Sequence, residues 1–306
     1  MKVGQFTDIE ASPGSGIREA SGGGTVEFGL RDEDREDVNR SGFRGRGRLR
    51  TQRFTVWVML QVTPNGPLGK DVHPRMPVSE SELLADLRAC FLAGATGVHL
   101  HVRDRTGAET FEPAVVNQTC SRVRDLGAEV GAEVEVGMTT GEWIVPDLVE
   151  RVAMIREWEG IDCATVNVSE PGFGDVMEAM LAVGIGIDAA LWAPIDLELL
   201  VSSGLLPRAR RVSIELGPGE PYFLQGEPEH VAQAMNEALD AAGSRCPRLL
   251  HGMNAWTWPL VEDAFRRGHD TRVGFEDSLD LPDGTRAESN AQLVQAAVAL
   301  QRQIQS

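Results

Sequence analysis

Gly97-Val-His-Leu-His-Val-Arg-Asp104 is the stretch on which the fold turns. It reads as a short apolar strand that runs into charge at its C-terminal end. Successive strand side chains alternate faces, so His99 and His101 point the same way. Two imidazoles on one face, where an apolar strand gives way to polar groups, suggest one half of a metal site.

Outward from this strand the chain repeats one pattern. The apolar runs predict strands at 54–62, 97–101, 133–139, 163–168, 186–192, 211–216, 248–251 and 271–276. Between them the spacing predicts helices starting at 77–81 and covering 112–126, 146–158, 174–183, 196–203, 228–242 and 258–267, with a closing helix at 289–305. Eight strand-then-helix units in about 250 residues match an α/β (β/α)₈ TIM barrel. A doubly wound sheet would want G-x-G-x-x-G directly after a strand. Gly184-Ile-Gly186 leads into a strand instead.

Residues 1–52 differ from the rest. Ser21-Gly-Gly-Gly24, the mixed-charge run from Arg31 to Asp37 and the Arg/Gly segment from Arg40 carry no sustained apolar period. They are expected to form a disordered N-terminal extension ahead of a catalytic barrel at 53–306. The net charge of −17 argues against nucleic-acid or anionic-membrane partners. No apolar run approaches the roughly 20 residues of a membrane span, so a cytoplasmic protein is expected. Cys90, Cys120, Cys163 and Cys246 are scattered, with no CxxC pair, and read as reduced thiols.

Chemistry in such a barrel sits at the C-terminal ends of the strands. Those ends offer Asn65; His99, His101, Arg103 and Asp104; Thr139-Thr140-Gly141; Thr165, Asn167, Ser169 and Glu170; Trp192; Glu215; His251; and Arg272, Glu276 and Asp277. Two histidines and one carboxylate form a common catalytic zinc set. Glu276 is the best third ligand, because strand eight lies two away from strand two around a closed barrel. Asp277, adjoining it, should point to another side, where it can serve as a base. His251 either lines the pocket or belongs to the core, and His73 either borders the site or is solvated. His230 and His269 read as surface residues.

Several segments, taken in order, resemble the β-keto acid cleavage enzymes, the family of the 3-keto-5-aminohexanoate cleavage enzyme. They are Pro64-Asn-Gly-Pro-Leu-Gly-Lys-Asp-Val-His-Pro74, the His-Leu-His of strand two, Thr139-Thr-Gly141, Thr165-Val-Asn167, Gly274-Phe-Glu-Asp277 and Ala287-Glu-Ser-Asn-Ala-Gln-Leu-Val294. The resemblance runs from about Phe54 to Gln305. It implies a zinc-dependent homo-oligomer, a tetramer, that converts a β-keto acid and acetyl-CoA into acetoacetate and a new CoA thioester.

The family's ligands for zinc, or another divalent metal, match His99, His101 and Glu276. Its base matches Asp277, the arginine paired with that base Arg272, and its substrate-facing hydroxyls Thr139 and Thr165. Asn65, Thr140, Gly141 and Asn167 complete the expected substrate-binding set. The family glutamate that reads the substrate's amino group is replaced here by the Asn65-Gly-Pro-Leu68 loop, and a second family glutamate falls at Ala190, which implies a substrate without that ammonium group. The far end of the substrate then falls to Asn65–Leu68, Ala190, Trp192 and Asn254. Two other functions compete. A metal-dependent barrel hydrolase puts its HxH on strand one and wants histidines on strands five and six, which are missing here. A binding barrel would use the basic leader to hold RNA.

Overall fold

The computed structural model describes residues 58–218 and 226–306. The leader expected at 1–52 and the first residues of the strand expected at 54–62 lie outside the described residues. Within them, eight parallel strands run β1 (Leu60–Val62), β2 (Gly97–Leu100), β3 (Glu135–Thr139), β4 (Cys163–Asn167), β5 (Gly186–Leu191), β6 (Arg211–Leu216), β7 (Arg248–Gly252) and β8 (Thr271–Val273). Their order in the sheet is β7-β6-β5-β4-β3-β2-β1-β8. A parallel bridge between Leu249 and Asp270, with Leu250 N–H donating to Asp270 O at 2.9 Å, joins the two ends. The sheet is a TIM barrel.

Eight helices alternate with the described strands: α1 (Glu80–Ala93), α2 (Pro113–Glu129), α3 (Leu148–Ile155), α4 (Phe173–Ala182), α5 (Pro194–Ser202), α6 (Pro228–Ala241), α7 (Thr257–Arg267) and α8 (Asn290–Gln305). Local chemistry sets their ends. Ser79 and Glu82 form a reciprocal capping box on α1, and Gly94 ends that helix in the left-handed region. Pro113, Pro194 and Pro228 open α2, α5 and α6, where a missing N–H costs nothing. None of the described helices is long and apolar enough to cross a membrane.

The strands alternate sharply. Val62, Val98, Leu100, Val136, Met138, Val166, Ile187, Val212, Ile214 and Val273 are buried in the apolar layer shared with the helices. The opposite face, toward the barrel axis, is polar: Gln61, His99, Thr139, Thr165, Ser213, Glu215, His251 and Arg272. A core that keeps its apolar packing outside the strands leaves the barrel interior free for chemistry.

At the N-terminal end of the barrel the axis is filled by Arg211. Its guanidinium pairs with Asp188, with Glu135 at 2.9 Å and with Asp270 at 3.3 Å, while Arg210 holds the other Glu135 oxygen at 2.6 Å. Glu135, Cys163 and Asp188 lie close enough to hold an ion. The arginine already supplies that positive charge.

The main departure from the expected elements is β8. It ends at Val273 rather than continuing to residue 276. After it the chain turns at once, with Asp277 and Ser278 N–H both donating to Gly274 O at 2.9 Å. The strand alternation that assigned Glu276 and Asp277 to different sides therefore does not apply. Short 3₁₀ turns at Leu206–Arg208 and Asn254–Trp256 add to the expected elements.

Candidate active site

Strand β2 delivers His99 and His101 side by side at the C-terminal mouth, their Nε2 atoms 3.2 Å apart. At that spacing the two nitrogens can share a hydrogen bond or ligate one ion. Glu276 Oε1 completes a triangle, 3.9 Å from His99 Nε2 and 3.7 Å from His101 Nε2. Zinc ligands at ordinary bond lengths in a tetrahedron lie about 3.3–3.4 Å apart, so only small side-chain shifts separate this triangle from a ligand set. Glu276 Oε2 is buried without a hydrogen-bond partner, as a vacant ligand atom would be.

The electrostatics point the same way. Glu215, Glu276 and Asp277 cluster around one guanidinium, Arg272. Three carboxylates thus share one guanidinium, an acidic surplus that a bound cation would offset. Burial and the nearby Arg272 push the His99 pKa well down, keeping the ring neutral and able to ligate. Burial pushes Glu276 up despite the opposing Arg272. For Glu215 burial acts in the same sense, but Arg272 and His251 outweigh it and hold the carboxyl below its usual value.

The approach of Glu276 depends on Gly66. This residue has φ +55°, and a Cβ there would sit 2.6 Å from Glu276 Cγ. Only glycine meets both conditions.

A cavity of about 200 Å³ opens over the triangle. Thr139, Thr165, Asn167, Glu215, Arg272 and the three candidate ligands supply its polar surface. Pro67, Leu68, Trp143, Trp192 and Met253 form the apolar remainder. Thr139, Thr165 and Asn167 thus reach the cavity as expected. The Asn167 amide is held by its neighbours, accepting from Trp192 Nε1 at 3.1 Å and donating to Glu170 at 2.7 Å.

Other expected site residues lie behind the wall. Asn65 is buried and donates to the carbonyls of Pro77 and His101, fixing the ligand strand's exit. Thr140 donates to Thr165 O at 2.8 Å. Gly141 lies beneath the Trp143 ring, where a Cβ would approach within 2.2 Å. Ala190 is fully buried, and Asn254 sits exposed in the turn after β7.

Asp277 also stands outside the cavity lining. Its Oδ1 accepts from Arg272 Nη2 at 2.9 Å, and its Oδ2 accepts from Thr63 Oγ1 at 2.7 Å. The same Arg272 nitrogen donates to Glu276 at 3.1 Å, so both carboxylates face one guanidinium rather than different sides.

His251 is fully buried below Arg272, accepting from its Nε at 3.2 Å. His73 is neither at the site nor solvated. It is buried against Phe275 and donates to Ala287 O at 3.1 Å. His269 is partly buried, 3.0 Å from Asn236, while His230 is exposed.

Two residues escaped the sequence reading. Glu109 Oε1 accepts from His101 Nδ1 at 2.6 Å, and Trp143 Nε1 donates to Glu109 Oε2 at 3.1 Å. Burial opposes a charge on Glu109, but those bonds outweigh it and hold the carboxyl below its usual value. The available signal was the turn Asp104-Arg-Thr-Gly107, a hairpin cue that brings 109 back beside 101.

The chain is similar to several known proteins. The 3-keto-5-aminohexanoate cleavage enzyme of Acetoanaerobium sticklandii is 23% identical over 252 residues, 76% of this chain and 87% of that protein. The 3-dehydrocarnitine:acetyl-CoA trimethylamine transferase of Rhizobium meliloti is 27% identical over 282 residues, 80% and 90% of the two chains. The 3-oxoadipate:acetyl-CoA acetyltransferase of Cupriavidus necator is 24% identical over 261 residues, 79% and 87%. Among solved structures, the ternary complex of ObcA with C4-CoA adduct and oxalate shares the fold with TM-score 0.53 and 17% identity. The match covers 74% of this chain and 63% of that one, just under two thirds of its length. The family model for beta-keto acid cleavage enzymes matches residues 57–306, the whole barrel, and the chain belongs to that family.

Proposed function

We propose that this chain condenses a β-keto acid with acetyl-CoA and releases acetoacetate and a new acyl-CoA. The observation that carries the reading is the His99–His101–Glu276 triangle at the base of a half-apolar cavity, within a chain of this family. Those three side chains would hold a divalent ion, zinc by the donor set, which when bound supplies Lewis-acid stabilisation of negative charge on the substrate's keto oxygen.

The chain's own groups do the rest. The Thr139 and Thr165 hydroxyls line the cavity as hydrogen-bond donors for the substrate's oxygens. Asp277, held by Arg272 and Thr63 just behind the cavity lining, is the first candidate for the base that takes the α-proton. The resulting carbanion attacks the acetyl thioester carbonyl. CoA then transfers to the substrate's own acyl carbon, the C–C bond breaks, and the base returns its proton to the departing carbanion, which leaves as acetoacetate. No enzyme nucleophile is required.

Glu215 is the second candidate for the base. It lines the cavity, and its Oε1 has no hydrogen-bond partner. Comparing Asp277→Asn with Glu215→Gln in single turnover identifies which carboxylate takes the proton.

The absence of a carboxylate in the 65–68 loop and at Ala190 favours a keto acid whose far end is apolar or uncharged, packed against Leu68, Trp143, Trp192 and Met253. The oligomer expected of the family and a cytoplasmic setting belong to this reading. A panel of β-keto acids incubated with acetyl-CoA tests it. Acetoacetate should form with at least one member and only when acetyl-CoA is present. Breakdown without CoA would favour the hydrolase instead.

A further inference from the structure

We infer that Glu109 is a positioning residue that joins the metal site to the wall of the substrate cavity. This rests on the metal reading above. One carboxylate serves both sides: Oε1 takes the Nδ1–H of His101, and Oε2 takes the indole N–H of Trp143.

The local fold explains how the three residues meet. After β2 the chain makes a tight hairpin. Asp104 N–H donates to Ala108 O at 2.8 Å, Thr110 N–H donates to Val102 O at 3.0 Å, and Arg103 pairs with Glu109 across an antiparallel bridge. The residue two back from Arg103 is His101, so Glu109 becomes its diagonal neighbour on the same face. From the other side, the loop after β3 folds the Trp143 ring back over Gly141. The ring lies near-parallel to His101, with centroids 6.1 Å apart and planes inclined by 21°.

Two consequences follow. The Glu109 carboxylate fixes His101 as the Nδ1–H tautomer, which leaves the Nε2 lone pair aimed at the triangle with His99 and Glu276. The second consequence concerns the cavity. Trp143 is about half exposed, yet it forms part of the wall, and its polar tether is Glu109. Ligand orientation and cavity shape are therefore set by one side chain.

The test uses the full chain stripped of metal by chelation, with Zn²⁺ affinity measured by competition against a chromophoric chelator. Co²⁺ serves as a second probe that quenches nearby indole fluorescence. Glu109→Ala should weaken Zn²⁺ binding about 10–100-fold. Glu109→Gln should weaken it as well, because an amide cannot accept from both donors. Trp143→Phe should largely keep Zn²⁺ affinity while raising the KM for the keto acid and abolishing part of the Co²⁺ quench. In Glu109→Ala that part of the quench should shrink per bound ion, since the ring is released.

If wild-type protein binds no Zn²⁺, the metal reading falls and takes this inference with it. If wild type binds Zn²⁺ and both Glu109 variants, melting normally, bind it equally well, the inference alone is overturned.

Discussion

Glu276 and Asp277 are adjacent in the chain and meet the same Arg272 nitrogen, yet only Glu276 reaches the histidine pair. Their substitutions should separate. Glu276→Ala removes one of the three proposed ligands and should lose both bound metal and turnover. Asp277→Asn should retain metal, by elemental analysis of the purified protein, while turnover falls by about 10²–10⁴, the usual contribution of a positioned base. Normal turnover in Asp277→Asn would pass the role to Glu215.

That His99, His101 and Glu276 converge was legible from the spacing of the two histidines and the order of strands around a barrel, although Glu276 itself sits in the turn after β8. The placement of Asp277 was not, because alternation ends with the strand at Val273. Glu109 was missed for a related reason. Its position comes from a hairpin within a loop, and a loop presents no period to read.

The turn that carries Glu276 is held from outside by Asn290, the first residue of α8. Its Oδ1 accepts from Phe275 N–H at 2.7 Å, and its Nδ2 donates to Pro64 O and to Asp86, each at 2.8 Å. One amide thus pins the exit of β1 to the exit of β8, which gives the closing Ser289-Asn290 motif a structural role the sequence did not disclose.

Asp86 is the costly partner in this arrangement. Burial raises its pKa from 3.8 to about 6, against the opposing hydrogen bond from Asn290. The folded value lies above the unfolded one, so the associated stability is fully present below about pH 4 and is lost as pH rises through about 6. The loss is about 3 kcal/mol, at roughly 1.4 kcal/mol per unit. Asp86→Asn keeps an oxygen for Asn290 and removes the buried charge. Its urea midpoint should exceed that of wild type at about pH 7.5 and match it near pH 4. An equal difference at both pH values would contradict this account.

Across the whole molecule the eight units stood out in the sequence, and most helix and strand limits agree closely with the expected ones. What composition hid was the barrel's interior. Charged residues at 135, 188, 211 and 270 look like ordinary strand ends until the closed sheet turns them toward one axis. Removing the central arginine leaves Asp188 buried without its ion-pair partner, while Glu135 keeps Arg210. Arg211→Met should therefore cost about 3–5 kcal/mol in chemical denaturation, the usual result of breaking a buried ion pair. Metal binding proposed at the opposite end should be unaffected.

The plug at Arg211 also bears on the kinetics. With the axis filled below, the catalytic well is entered from its mouth, and both substrates must use that doorway. In the proposed reaction the keto acid settles at the bottom before the bulkier thioester closes the entrance behind it. Initial rates should then follow an ordered sequential scheme, with acetyl-CoA binding second. A dead-end CoA analogue should be competitive toward acetyl-CoA and uncompetitive toward the keto acid.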